Sequence, residues 1–239
     1  MKAHVGIAIA TGALAMGLAG TALAQDDEYE TTPTYMRSPV RAPRGAFELG
    51  VSTGYTQGFG SIAAGQAVGR TADAGMGFGL NLAYRASPGF SIGATSQFQE
   101  LNPDQRLGGD AKARGMSAGL DATVHFAPYQ RIDPHLSMGA GYRLLWTTQT
   151  GPNNDALTHG FQLGRANVGL DIKVSEDVAL GPMIGADVNM FVWRNPEGAI
   201  GNQRIGDVAV NTFVYGGIQG RFDIGGQREA QLREISGRR

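Results

Sequence analysis

Met76-Gly77-Phe78-Gly79-Leu80-Asn81-Leu82-Ala83-Tyr84-Arg85 decides the fold. Large apolar side chains occupy every second position, and Gly, Asn and Arg fill most of the positions between. A period of two is the period of a β-strand, so one face is apolar and the other carries small and polar groups.

The same texture recurs from Ala46 onward in seven further segments. Phe47, Leu49, Val51 and Tyr55 oppose Glu48, Gly50, Ser52 and Gly54; Phe90, Ile92, Ala94 and Phe98 oppose Ser91, Gly93, Thr95 and Gln97. Met116 to Phe126 alternates with Ser117, Gly119, Asp121, Thr123 and His125, and Leu136 to Trp146 alternates with Ser137, Gly139, Gly141 and Arg143. In the sixth segment Ala166, Val168, Leu170 and Ile172 oppose Arg165, Asn167, Gly169, Asp171 and Lys173, but Phe161 and Leu163 fall on the wrong parity. A bulge there, or a start outside the membrane, restores the face. Val178 to Val192 forms the seventh, interrupted on its apolar face by Pro182, which removes a ladder hydrogen bond. Val208, Val210, Val214, Ile218, Phe222 and Ile224 form the eighth against Asn211, Gly217, Gln219, Arg221 and Asp223.

Connections alternate as well. Ala86–Gly89, Ala127–Pro134 and Val174–Asp177 are short; Gln57–Asp73, Glu100–Arg114, Thr148–Gly160 and Arg194–Gly206 are longer. Short turns on one rim and long loops on the other belong to a closed up-and-down barrel in a bacterial outer membrane. The expected fold is therefore all-β: a closed, antiparallel, eight-stranded transmembrane barrel with apolar residues facing lipid. Closure satisfies every backbone group in hydrocarbon, which an open sheet cannot do. Charged residues make up 17% of the chain, below the ~25% of soluble domains, which fits a surface given over to lipid.

Flanking regions complete the expected organisation. Residues 1–24 read as a secretory signal peptide: Lys2, an apolar run from Val5 to Leu18, and Ala22-Leu23-Ala24 before an acidic stretch. Residues 25–45 contain Thr32-Pro33, Ser38-Pro39 and Ala42-Pro43 with no apolar period and read as a flexible periplasmic linker. The barrel occupies 46–225 and a polar tail 226–239. With no cysteine, disulfides and lipid anchors are excluded, and a net charge of −1 gives no argument for nucleic acid.

Two residue sets follow. The luminal polar network is Glu48, Arg85, Asp121, His125, Arg143, Arg165, Asp171, Asp187, Arg221 and Asp223. Interfacial aromatics are Phe47, Tyr84, Phe90, Phe126 and Phe222 at the turn side, with Tyr55, Phe98 and Trp146 at the loop side. No catalytic, cofactor or metal site emerges. Ser117, Asp121 and His125 share a face, but residues four apart on a strand lie ~13 Å apart, so no relay links them. His135 reads as a turn residue and His159 as a loop residue, with no metal-ligand spacing. Gly75-Met76-Gly77-Phe78-Gly79 lies within a strand with no helix after it, so the phosphate-loop reading fails.

Over Ala46–Gly225 the chain resembles the small outer-membrane β-barrel family of OmpA's transmembrane domain and OmpX-like proteins, by architecture and without a diagnostic motif. In that family the last strand ends on an aromatic read by the assembly machinery; Gly220-Arg221-Phe222-Asp223-Ile224 is a loose counterpart. The tail after it departs from the pattern and is too short for a peptidoglycan-binding domain. Some members of this class are enzymes on lipid A, but with no catalytic cluster in the sequence the leading expectation is a non-enzymatic scaffold, contacting outer-membrane lipid and envelope partners through its loops or its N-terminal linker. Phe59, Ile62, Val68, Ile200 and Ile205 stand in the loops as apolar contacts or as residues that pack within them. The alternatives are a lipid-modifying enzyme, needing a Ser or His with a carboxylate near the loop side, and a narrow solute channel.

Overall fold

The computed structural model describes residues 34–103, 111–148, 155–198 and 200–235. The signal-peptide segment and the first residues of the linker lie outside them. In chain order the elements are β1 (Thr34–Arg44), β2 (Ala46–Ala63), β3 (Gln66–Ala67), α1 (Val68–Thr71), β4 (Ala74–Ser87), β5 (Phe90–Leu101) and β6 (Lys112–His125). After them come β7 (Ile132–Thr148), β8 (Ala156–Lys173), β9 (Val178–Pro196), β10 (Gln203–Arg204), β11 (Val210–Ile224) and β12 (Gln227–Ile235).

Eight of these strands close a barrel. Each of β2, β4, β5, β6, β7, β8, β9 and β11 pairs antiparallel with its neighbour along the chain, and β11 returns to β2 over Ile224↔Phe47 to Asn211↔Gly60. The seam needs Gly54 opposite Gly217: a Cβ on Gly54 would sit 2.7 Å from Gly217 Cα.

Parity holds along the wall. Phe78, Leu80, Leu82, Ile92, Leu120, Met138, Val168, Ile184 and Ile218 all face out, while the polar members of the same strands are buried inside. An apolar exterior around a polar interior inverts the arrangement of a soluble barrel and requires lipid outside. On β6 the outward series Met116 to Phe126 spans ten residues of rise, about 34 Å along a strand and about 26 Å along the axis at ~40° tilt. That is the height of the apolar band of an outer-membrane barrel, about 25 Å.

The irregular sixth segment is explained by a bulge. Gly139 pairs with Arg165 but Gly141 with Gln162, so two residues, Leu163 and Gly164, oppose Ala140 alone. The extra residue flips the parity, and Phe161 and Leu163 face lipid with Val168 and Leu170. Pro182 faces out too. The β8–β9 ladder is interrupted between Gly169↔Met183 and Ile172↔Leu180 and resumes in the same register.

The structure departs from the sequence reading at the strand ends, at Val208 and in residues 34–44. The strands are longer than the ~10 residues that cross a membrane: β5 has 12 and β9 has 19, the excess projecting at the loop side. The long connections shrink accordingly, and Val208 lies outside β11, in an isolated bridge with Ala63. Residues 34–44, read as part of a flexible linker, form β1 and pair with β12 from Arg44↔Gln227 to Thr34↔Ile235. This ribbon continues the β2–β11 seam past Gly45, Gly225 and Gly226, all at positive φ (64°, 70° and 72°), a backbone bend that glycine makes without strain. It leaves the turn-side rim, and Arg228 pairs with Asp177 of the β8–β9 turn.

Candidate functional site

All ten predicted network residues project into the lumen, where they form layers. At the turn side Arg85 Nη1 donates to Glu48 Oε1 at 2.8 Å, and its Nε to the carbonyl of Pro88 at 3.1 Å. Nδ1 of His125 donates to Asp133 Oδ2 at 3.0 Å. Arg221 pairs with Asp171 and lies 3.4 Å from Asp223 and 3.8 Å from Glu48. Lys173 donates to the carbonyl of Pro128 and joins this layer. Within it four carboxylates (Glu48, Asp133, Asp171, Asp223) face three basic side chains (Arg85, Lys173, Arg221). Near-balance is what lets charges stay buried, since an unpaired one costs several kcal/mol.

Higher up, Asn81 Nδ2 donates to both oxygens of Asp121 at 3.1 and 3.0 Å, and Arg165 Nη1 donates to Thr95 Oγ1 at 3.1 Å. A cavity of about 90 Å³, room for a few waters, lies between these residues and the turn-side layer. Glycines make space beside the bulky groups: a Cβ on Gly169 would come within 2.6 Å of the His135 ring, and one on Gly185 within 2.5 Å of Tyr215.

Toward the loop side Arg143 Nη1 reaches Asp187 at 3.4 Å, its Nη2 donates to Gln99, and its guanidinium stacks on Phe213. Above Phe213 the lumen turns apolar. Ile62, Val68, Ala72, Leu101, Ala113, Leu145, Phe191 and Phe213 form one buried cluster, with Ile205 packed against it. α1 supplies Val68 from the first loop, and Gly58 admits it: a Cβ there would sit 2.9 Å from the Ala72 carbonyl oxygen. Of the loop residues singled out as apolar contacts, Ile62 and Val68 are thus plug residues, while Phe59 and Ile200 are exposed.

Both remaining histidines are misplaced by the sequence reading. His135 is not a turn residue: it lies in β7 opposite His125, buried, with its Nδ1 3.2 Å from Asp171 Oδ2. His125, His135 and Asp171 bring one donor atom each within 4.8 Å of one another, a convergence across three strands that spacing along the chain does not show. Arg221 sits among them, 3.3 Å from His125 Nδ1, so the cluster contains its own cation. His159 is not a loop residue but part of β8. It hydrogen-bonds the Tyr142 hydroxyl at 2.5 Å on the outer face and stacks on Trp193.

The eight predicted interfacial aromatics all stand on the outer face, Phe47 edge-on to Tyr84. Tyr142, Phe161 and Trp193 add a further outer-face group that the sequence reading did not single out. Phe213, Tyr215, Leu145 and Phe191 were also missed as luminal residues. Their signal was parity, which they share with Asn211, Arg143 and Asn189.

An apolar girdle, a closed eight-stranded wall and a buried ionic interior define a small outer-membrane-type β-barrel. No protein-family model matches the sequence, and no curated protein matches it. Among solved structures the chain is similar to Neisserial surface protein A (12% identity, 75% of this chain and 99% of that one, TM-score 0.49). It is also similar to the outer membrane protein OprG from Pseudomonas aeruginosa (12%, 76% and 97%, TM-score 0.45) and to Ail, the attachment invasion locus protein of Yersinia pestis (11%, 75% and 99%, TM-score 0.43).

Proposed function

We propose that the chain is an exported, non-enzymatic outer-membrane scaffold that holds its loops at the cell surface and its terminal ribbon in the periplasm. One observation carries this reading. The lumen is occupied by layers of charged and polar side chains and then sealed by the apolar cluster around Phe213, Leu145 and Val68, each without solvent exposure. Side chains fill the interior of an eight-stranded barrel, so the wall serves as a support for what lies at its rims.

The histidine–carboxylate pairs support the same reading. His125–Asp133 and His135–Asp171 are buried near the turns, far from the outer leaflet where a lipid-modifying enzyme works. His159, the histidine near the loop side, has a phenol as its partner.

Planar-bilayer recording of the refolded mature chain tests the proposal. A scaffold with this lumen gives no conductance steps. Stable, reproducible steps would contradict it and favour the solute-channel alternative.

A further inference from the structure

The outer wall carries charge where the apolar band ends. On β6 the band runs up from Phe126 to Met116, and the next two outward positions are Arg114 and Lys112. At the same rise and tilt they stand about 5 and about 10 Å above the hydrocarbon, at headgroup level. Both are exposed. Trp146 lies opposite Arg114 in the ladder, Thr148 opposite Lys112, and Phe98 opposite Met116.

Those side chains enclose a groove. Phe98, Lys112, Arg114, Trp146 and Thr148 line a space of about 400 Å³ on the outside of the barrel. Glu100 stands opposite Arg114 on β5, yet among the described residues no ion pair within 4.0 Å engages Arg114 or Lys112. Two cations and two aromatic side chains thus line one groove at the level where lipid headgroups lie.

We infer that this groove binds the headgroup phosphate of a phosphorylated glycolipid of the outer leaflet. Arg114 presents a planar fork to two phosphate oxygens, and Lys112 adds a mobile point charge beside it. Trp146 and Phe98 seat the sugar face and the first acyl carbons, the amphipathic boundary that interfacial aromatics occupy. A phosphate here gains what water cannot supply, two neighbouring cations and an apolar floor. The inference rests on the outer-membrane reading, which places the loop side outward.

Intrinsic fluorescence tests it. Trp193→Phe leaves Trp146 as the sole tryptophan, and heat-modifiable gel mobility confirms that each variant is folded before titration. The refolded mature chain in neutral detergent micelles is titrated with bisphosphorylated lipid A. The expected result is a saturable shift in Trp146 emission that Lys112→Gln with Arg114→Gln weakens about 25-fold, roughly fivefold for each basic residue lost. Dephosphorylated lipid A is expected to bind no better than phosphatidylcholine.

Equal affinity of the double variant, or of the dephosphorylated lipid, would overturn the inference. So would inorganic phosphate saturating the signal at the same concentration, which would make the groove a small-anion site. Failure of the outer-membrane reading itself appears separately, as a chain without heat-modifiable mobility in the soluble fraction.

Discussion

The guanidinium carbon of Arg143 lies 3.6 Å from the centre of the Phe213 ring, and this contact marks the level at which the polar lumen becomes an apolar plug. Below the ring Arg143 serves Asp187 and Gln99; above it Leu145, Phe191 and Val68 form an apolar cluster, with Asn189 and Asn211 buried at its lower edge. A cation over an aromatic face in a dry site joins the two regions without leaving its charge unpaired.

Removing that charge alone is therefore costly. Arg143→Met leaves the Asp187 carboxylate with only the more distant Arg165, at 3.9 Å. The expected loss is about 3–5 kcal/mol, read as a lower urea midpoint for unfolding in micelles. Arg143→Met combined with Asp187→Asn recovers most of it, because the uncompensated carboxylate is gone.

Lipid contact makes an exposed leucine intolerant of charge. Leu120 is 68% exposed and lies midway along the outward series of β6. Leu120→Arg is expected to cost about 2–4 kcal/mol in bilayers, the cost of a cation at the midplane. Ile200→Arg, on a fully exposed loop residue, is expected to change stability by less than about 0.5 kcal/mol. Equilibrium unfolding from vesicles compares the two, and equal tolerance would argue against lipid around β6.

Closure depends on the glycine pair of the seam. Gly54 and Gly217 face each other, and a Cβ on Gly217 would sit 2.5 Å from Gly54 Cα. Gly217→Val is expected to abolish the compact, fast-migrating form on unboiled gels, whereas Gly206→Val, in open space and at an ordinary backbone φ, leaves it intact.

The terminal ribbon is an extension of the wall and not part of its closure. Arg44–Glu229 and Arg228–Asp177 tie it to itself and to the β8–β9 turn, and exposed pairs of this kind contribute about 0–1 kcal/mol. Truncation after Gly226 is expected to leave heat-modifiable mobility unchanged. In the same truncated chain residues 34–44, deprived of β12, become a site of rapid limited proteolysis.

Alternation was enough to place Arg85 inside and Leu120 outside, because a strand with lipid on one side tolerates no ambiguity of face. It also exposed its own exception at Phe161 and Leu163, which the bulge at Leu163–Gly164 resolves. Contacts between strands were not legible. His135 meets Asp171 and His125 only through the registers of β6, β7 and β8, which no spacing along the chain encodes. Val68 enters the plug from a loop with neither period nor length to mark a helix. Nor does the β1–β12 ribbon carry an apolar period: β1 and β12 meet because the chain leaves the barrel on both sides of the one seam that joins its ends.

The central claim is a closed barrel embedded in lipid, and heat-modifiable mobility combined with fractionation tests it most directly. The account predicts recovery in the outer-membrane fraction and a faster-migrating band that shifts on boiling. A protein found in the soluble periplasmic fraction, migrating identically before and after boiling, would contradict it.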